Sequence, residues 1–278
     1  MDDQPFRNLL DFLRLSWTGY RKVRKGVKKR VSRFMEEMGC RRSDEFLSAI
    51  ERNPELRKSV EILMTVSVSR FFRDRRLWRI LEEPILPEII ARRVEKVKVW
   101  SAGCACGEEP YSFKILWDTM QRRFERLPEL ELWATDMNPL YLEKARRGIY
   151  PPSSLKELPP EWRAGYFSSG TGSSAAVSAS LKEGISWKVH NLLTDVPSQR
   201  GFQIIFLRNN LLTYYPDEVK EPALGRIIES LAPGGFLPIG SHERLPAESP
   251  ALVPFSHHPN IFQKTTFFPS PLSGRRRG

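Results

Sequence analysis

The segment Ser101 to Pro110, SAGCACGEEP, holds two glycines, two cysteines and two adjacent carboxylates, and no lysine or arginine lies between Ser101 and Tyr111. It follows a short β-like run, Val97-Lys98-Val99-Trp100, and precedes a helical stretch read from Tyr111 to about Phe124. An alternating strand, Leu130 to Ala134, then ends at Thr135-Asp136. A glycine turn between strand and helix lets backbone approach a ligand closely, and an acid at the end of the next strand can accept hydrogen bonds from ribose hydroxyls. The local charge selects among adenosine ligands. Glu108 and Glu109 would repel a pyrophosphate and could pair with an ammonium group, and the segment is not a phosphate-binding G-x-x-x-x-G-K-S/T sequence. S-adenosylmethionine, with an amino group, a sulfonium and ribose hydroxyls, suits these charges better than NAD or ATP. Glycine turns also serve ordinary strand-to-helix packing, so the residues of the loop alone leave both readings open.

The elements that must position this loop fall into two regions. From Arg21 to Arg33 there are eight basic residues and no acidic one, with Val23, Val27, Val31, Phe34 and Met38 at helical spacing and Gly39 as the expected stop. Ser43, Asp44 and Glu45 open a second helix, which Pro54 ends or kinks, and a third runs from Leu56 to Met64. Residues 1–70 therefore read as an all-α domain. Beyond it, Phe202 to Phe206 reads as a buried strand, Asp217 to Leu231 as a helix, and Pro233-Gly234-Gly235 as a turn into Phe236-Leu237-Pro238-Ile239. Strand and helix alternate, which indicates an α/β domain over 71–278 with a mostly parallel, Rossmann-like sheet and helices on both faces. Residues 168–180, rich in Ser, Gly, Thr and Ala, read as a flexible loop with short strands around it, and the Arg-rich tail, 270–278, as disordered.

Composition excludes several classes. The chain has 278 residues, 40% hydrophobic and 28% charged, enough for a sizeable core, and 44 Lys+Arg against 33 Asp+Glu give a net charge of +11. No stretch approaches the roughly 18 apolar residues of a membrane span, and Asp2, Asp3 and Arg7 preclude a signal-peptide core, so a cytoplasmic protein without membrane insertion is expected. Cys40, Cys104 and Cys106 follow no zinc spacing and read as reduced thiols, and the histidines form no ligand pattern, so no metal is expected.

Several segments occur in the order seen in the CheR-type chemotaxis receptor methyltransferases: SRFFRD (Ser69 to Asp74), SAGCACGEEPYS (Ser101 to Ser112), ATD (Ala134 to Asp136), Gly148-Ile149-Tyr150, Asn191-Leu192-Leu193, Leu207-Arg208-Asn209 and Pro233-Gly234-Gly235. The chain resembles this family from the basic helix to about Lys264. The resemblance implies a class I methyltransferase sheet with a small inserted β-subdomain, about 166–190, and transfer of a methyl group from S-adenosylmethionine to receptor glutamates, leaving S-adenosylhomocysteine. It implies that Glu109 binds the cofactor's amino group and Asp136 its ribose. Ser67, Ser69, Arg73 and Gly103 would also contact the cofactor, Asn191 and Leu192 would flank the adenine, and Arg208 and Asn209 would close the pocket. Arg73 and Tyr214 would face the transferred methyl as the catalytic pair.

The sequence also departs from the family pattern. Ser67 stands where Asn is usual and Ser69 where Thr is usual, Leu207 replaces a frequent Cys, and the run Asn210 to Tyr214 is one residue longer. The insert lacks the glycine-flanked segment of members that tether a receptor peptide, so direct docking is expected. The resemblance places the basic helix against an acidic partner such as a chemoreceptor cytoplasmic helix bundle, with Arg21, Lys25, Lys28 and Lys29 as substrate-docking residues. A cationic face would raise the encounter rate with such a partner. Two other readings remain: methylation of RNA or a small molecule by the same site, and a non-catalytic cofactor-binding protein. No Asn-Pro-Pro-Tyr motif is present, which disfavours base methylation and makes nucleic acid the less favoured partner.

Overall fold

A computed structural model describes residues 1–170, 172–246 and 249–266. The Arg-rich tail expected to be disordered lies outside the described residues.

Five helices form the N-terminal region: α1 (Asp3–Phe12), α2 (Trp17–Tyr20), α3 (Arg24–Glu37), α4 (Ser43–Arg52) and α5 (Pro54–Met64). Their apolar stripes meet in one core that includes Phe6, Leu10, Val27, Val31, Phe46 and Ile50. In α3 the buried positions are Val27, Val31 and Met35, whereas Val23 precedes the helix and Phe34 and Met38 stay half-buried. Gly39, at φ +72°, lets the Cys40 N–H turn back to the Met35 carbonyl at 2.9 Å and stops the helix. Pro54 is the first residue of α5, behind Asn53, whose side chain accepts the Glu55 and Leu56 N–H groups.

The chain then passes through an extended segment, Thr65 to Asp74, into α6 (Arg75–Ile80), a π-turn at Leu81–Ile85 and α7 (Leu86–Ala91). The sheet domain follows as β1 (Lys96–Ala102), α8 (Glu108–Met120), β2 (Glu129–Asp136), α9 (Pro139–Arg147), β3 (Ile149–Tyr150), α10 (Pro160–Tyr166), β4 (Phe167–Ser169), β5 (Ala175–Val177), α11 (Ala179–Lys182), β6 (Ile185–Val189), β7 (Phe202–Phe206), α12 (Leu211–Tyr214), α13 (Asp217–Ser230), β8 (Leu231–Pro238), β9 (Leu252–Phe255) and β10 (His258–Lys264). The main sheet runs β6-β2-β1-β7-β8-β10-β9. Its first five strands are parallel, and β10 is antiparallel to both neighbours. Strand order reverses between β1 and β7, so the crevice at their C-terminal ends is the topological switch point where such sheets bind ligands. The strands feed two faces: Val97, Val99, Ile204 and Phe206 pack on one side with α7 and α8, and Trp100, Phe202, Ile205 and Leu231 on the other with α13, the alternation in β7 broken by an irregularity between Phe202 and Ile204. The sheet is thus Rossmann-like and covered on both faces.

A second, antiparallel sheet has the order β3-β5-β4. The end of β4 and the whole of β5 therefore fall within the segment read as a flexible loop. Ile185–Val189 was expected within the same insert, but β6 pairs in parallel with β2 along Leu132–Asp136. Ile185 and Trp187 pack against the core there, and β6 covers an edge that β2 would otherwise expose.

The two regions meet through α2 and α12. The Ser16 N–H donates to the Tyr214 carbonyl at 2.8 Å, and the Tyr20 and Tyr214 rings lie 4.9 Å apart. Gly19 sits so close to α12 that a Cβ there would lie 2.1 Å from the Thr213 carbonyl oxygen. Gly19→Ala should accordingly cost about 1–3 kcal/mol in urea unfolding. Gly26→Ala, inside α3 with open space around it, should add about 0.5–1 kcal/mol.

Candidate active site

A cavity of about 490 Å³ opens at the switch point, walled by Gly103 to Ala105, Glu109, Asp136, His190 to Thr194, Arg208 to Leu211, Tyr214 and the extended segment between α5 and α6. Its floor is the loop after β1. The Gly103 and Cys104 N–H groups both donate to the Thr135 carbonyl at 2.8 Å, which holds the loop onto the end of β2. Gly103 has φ +84°, and a Cβ there would lie 2.0 Å from Nδ2 of Asn210. The space that glycine leaves is taken by the Asn210 amide, which donates to the Ala102 carbonyl and fastens the loop to the start of α12.

The two glutamates that open α8 diverge. Glu109 accepts from the Ser101 hydroxyl at 2.7 Å and from Nη1 of Arg208 at 2.9 Å. Arg208, only 4% exposed, also donates through Nη2 to Asp74 at 2.6 Å and to the Arg73 carbonyl at 3.1 Å. One buried guanidinium thus joins the extended segment, α8 and the end of β7, and the cluster carries one net negative charge. Glu108 points the other way and is 5% exposed, with the Ser154 hydroxyl 3.4 Å from Oε1 and no partner on Oε2. Burial pushes its carboxyl above the usual glutamate range.

Asp136, 8% exposed, accepts the Asn138 N–H on one oxygen and the Ala105 N–H on the other, both at 2.9 Å. Burial pushes its pKa up from the ordinary value despite these bonds. Each oxygen keeps a lone pair free to accept a further donor. Arg73 donates to the Val68 carbonyl at 2.8 Å and to Oδ1 of Asn209 at 3.2 Å, with guanidinium donors to spare. Tyr214 lines the same cavity, its hydroxyl pushed up to about 12 by burial, so it is a neutral donor at physiological pH. Asn191 and Leu192 sit in a loop held by Arg226 of α13, which donates to the Leu192 and Leu193 carbonyls. Phe71 and Phe72 are buried and anchor the extended segment over the opening, with the Phe72 N–H donating to Ser112 at 2.9 Å.

Of the expected site residues, Ser69, Arg73, Gly103, Glu109, Asp136, Asn191, Leu192, Arg208, Asn209 and Tyr214 all line this cavity. Ser67 does not. It is exposed beside the Cys106 thiol, and burial pushes that thiol up to about 11. Cys104 and Cys106 carry no disulfide and are protonated at neutral pH, and the described residues hold no cluster of metal-ligating side chains. Asp74 and Asn210 also shape the site, through Arg208 and the Ala102 carbonyl, and nothing in their local sequence shows which distant residue each one meets.

The expected docking residues divide. Lys25 and Lys29 are exposed on α3, and Arg21 lies exposed in the turn before it. Lys28 is 20% exposed and pairs with Asp3 at 2.8 Å, and Arg24 pairs with the same carboxylate. Arg30 donates to the Leu63 and Thr65 carbonyls and closes the C-terminus of α5. The run of eight charges therefore leaves Arg21, Lys22, Lys25, Lys29 and Arg33 without a partner among the described residues and ties Arg24, Lys28 and Arg30 to neighbours at the surface.

Comparison with known proteins identifies the family. Residues 67–260, which include the cavity-lining residues from Val68 to Pro222 but not those contributed by the N-terminal helices, match the family described as "CheR methyltransferase, SAM binding domain". The chain belongs to the CheR methyltransferase family. It is 32% identical over 219 residues to a chemotaxis protein methyltransferase of Listeria innocua, spanning 79% of this chain and 81% of that one. Another relative, from Vibrio parahaemolyticus, is 34% identical over 196 residues, 70% of each chain. A third, from Pseudomonas aeruginosa, is 31% identical over 226 residues, 79% of this chain and 81% of that one. This CheR-family chain is an S-adenosylmethionine-dependent methyltransferase, and the net negative cluster beside Asp136 suits a ligand that carries an ammonium, a sulfonium and a ribose.

Glu108, behind the cavity, gives the fold a pH signature. A carboxyl raised on folding keeps its proton longer in the native state, so stability falls as pH rises from the ordinary value of 4.5 toward the raised one. Urea midpoints of Glu108→Gln measured from pH 4.5 upward should decline less steeply than those of the parent protein.

Proposed function

We propose that the enzyme methylates glutamate side chains of an acidic, chemoreceptor-like partner in the cytoplasm, forming glutamyl methyl esters. The observation that carries the reading is the convergence of Arg73, Glu109, Asp136 and Tyr214 on one switch-point cavity in a CheR-family chain. S-adenosylmethionine, when bound, supplies an electrophilic methyl group on a sulfonium. Asp136 would hold the ribose through its two free lone pairs, and Glu109 would take the amino group, whose charge balances the excess negative charge of the Arg208 cluster. Asn191 and Leu192 would flank the adenine, and Ser69 and Asn209 would complete the wall.

A glutamate with an ordinary pKa of about 4.3 is already an anion at neutral pH, so the acceptor needs no general base. The protein's task is to orient that anion and exclude water. Arg73 offers its free guanidinium donors and Tyr214 a neutral hydroxyl at the same opening, and neither changes protonation. Lys25, Lys29 and their exposed neighbours offer an acidic surface a complementary face, which would act on encounter rate and weaken with salt.

Methyl-labelled S-adenosylmethionine incubated with the protein and a recombinant chemoreceptor cytoplasmic fragment should give base-labile label on glutamate. Base-stable label, label on RNA, or no transfer would contradict the assignment. Asp136→Ala should weaken S-adenosylhomocysteine binding at least about tenfold by calorimetry, the loss of charge-assisted hydrogen bonds. Charge reversal at Lys25 and Lys29 should lower kcat/KM for the receptor fragment about tenfold at low salt and leave S-adenosylhomocysteine affinity intact.

A further inference from the structure

The two groups that face the methyl acceptor, Arg73 and Tyr214, both trace back to one carboxylate outside the cavity lining. Glu243, in the loop after β8, is 7% exposed. Its Oε2 accepts the Asn209 N–H at 2.8 Å and the Gly240 N–H at 2.7 Å, and its Oε1 accepts the Thr213 hydroxyl. Among the described residues it forms no ion pair, so three neutral donors hold a buried carboxylate. Gly240 is shaped to it, because a Cβ there would lie 2.6 Å from Oε2. Asn260 donates to the carbonyls of Gly240 and Glu243 and fixes the loop from the β10 side.

Both ends of this arrangement reach the site. Asn209 has φ +56°, a left-handed conformation that a non-glycine residue keeps only where its surroundings hold it. In that conformation its backbone N–H meets Glu243 while its side-chain oxygen accepts from Arg73 at 3.2 Å. Thr213, bound to the other carboxylate oxygen, sits in α12 next to Tyr214. We propose that Glu243 is a positioning residue for methyl transfer: it fixes Asn209, and through it Arg73, together with the α12 wall that carries Tyr214. The role is geometric, since the required features are one atom that accepts two backbone N–H groups and a second that bonds a hydroxyl.

Geometry and charge are separable by substitution. Glu243→Gln keeps the reach: its Oε1 can accept the two N–H groups and its amide can donate to the Thr213 hydroxyl. Glu243→Asp keeps the charge but is one methylene short. The proposal rests on the acceptor assignment above, so wild-type protein, receptor fragment and labelled S-adenosylmethionine form the reference assay. Glu243→Asp should lose at least about tenfold in kcat while S-adenosylhomocysteine affinity stays within about threefold, as expected for a small misplacement of catalytic groups. Glu243→Gln should recover kcat to within about threefold of wild type. In an Asn209→Ala background, Glu243→Asp should have much less effect, because both act along one chain of contacts. Activity kept by Asp and lost by Gln, equal activity of both, or full additivity with Asn209→Ala would overturn the proposal. A wild-type protein that labels no receptor fragment would instead overturn the acceptor assignment.

Discussion

The structure depends on a guanidinium with two carboxylates. Arg208 leaves the end of β7 and is gripped by Glu109 from α8 and Asp74 from the extended segment, with the Arg73 carbonyl as a further acceptor. Burying such a group is unfavourable unless its donors are matched, and removing one partner of a comparably buried pair costs about 3–5 kcal/mol. Asp74 is 31% exposed, which puts its share toward the lower end. The consequence is geometric as well as energetic. The extended segment beside the cavity, the helix that carries Glu109 and the central strand are tied into one body, and the three side chains leave one surplus negative charge at the cavity wall.

The N-terminal helices take part in that body. Arg30 of α3 closes the end of α5, whose next residue, Thr65, receives the Asn138 amide on its hydroxyl and the Tyr141 hydroxyl on its carbonyl. Asn138 in turn donates its N–H to Asp136. The helix that presents Lys25 and Lys29 outward is thus linked inward to the turn that holds Asp136, and Gly19 and Tyr20 press against the wall that carries Tyr214. The exposed basic face and the cavity share one scaffold.

What could be read from the sequence was local. The strand, glycine loop, helix, strand and acid from Lys96 to Asp136 stand close to where hydrophobic runs and glycines put them, because each is set by neighbours a few residues away. Glu109 and Asp136 reach the cavity for the same reason. Long-range pairing was not legible. Ile185–Val189 looked like part of the insert, and only the open edge of β2 assigns it to the main sheet. Lys28 and Arg30 read as free surface charge, and only the folded chain shows that Asp3 and the end of α5 engage them. Gly103 read as room for a ligand, yet the Asn210 amide fills that room. Glu243 carried no motif, since its three donors come together only on folding.

The central claim is that Glu109, with Arg208 and Asp74 behind it, recognises the amino group of the cofactor. The most direct test is calorimetry with S-adenosylhomocysteine and with an analogue that lacks its α-amino group, on wild type and Glu109→Gln. The wild-type protein should bind the analogue at least about tenfold more weakly, the scale of a charge-assisted hydrogen bond, and the variant should bind both ligands within about threefold of each other. Equal wild-type affinity for the two ligands, or an undiminished preference in the variant, would contradict the account.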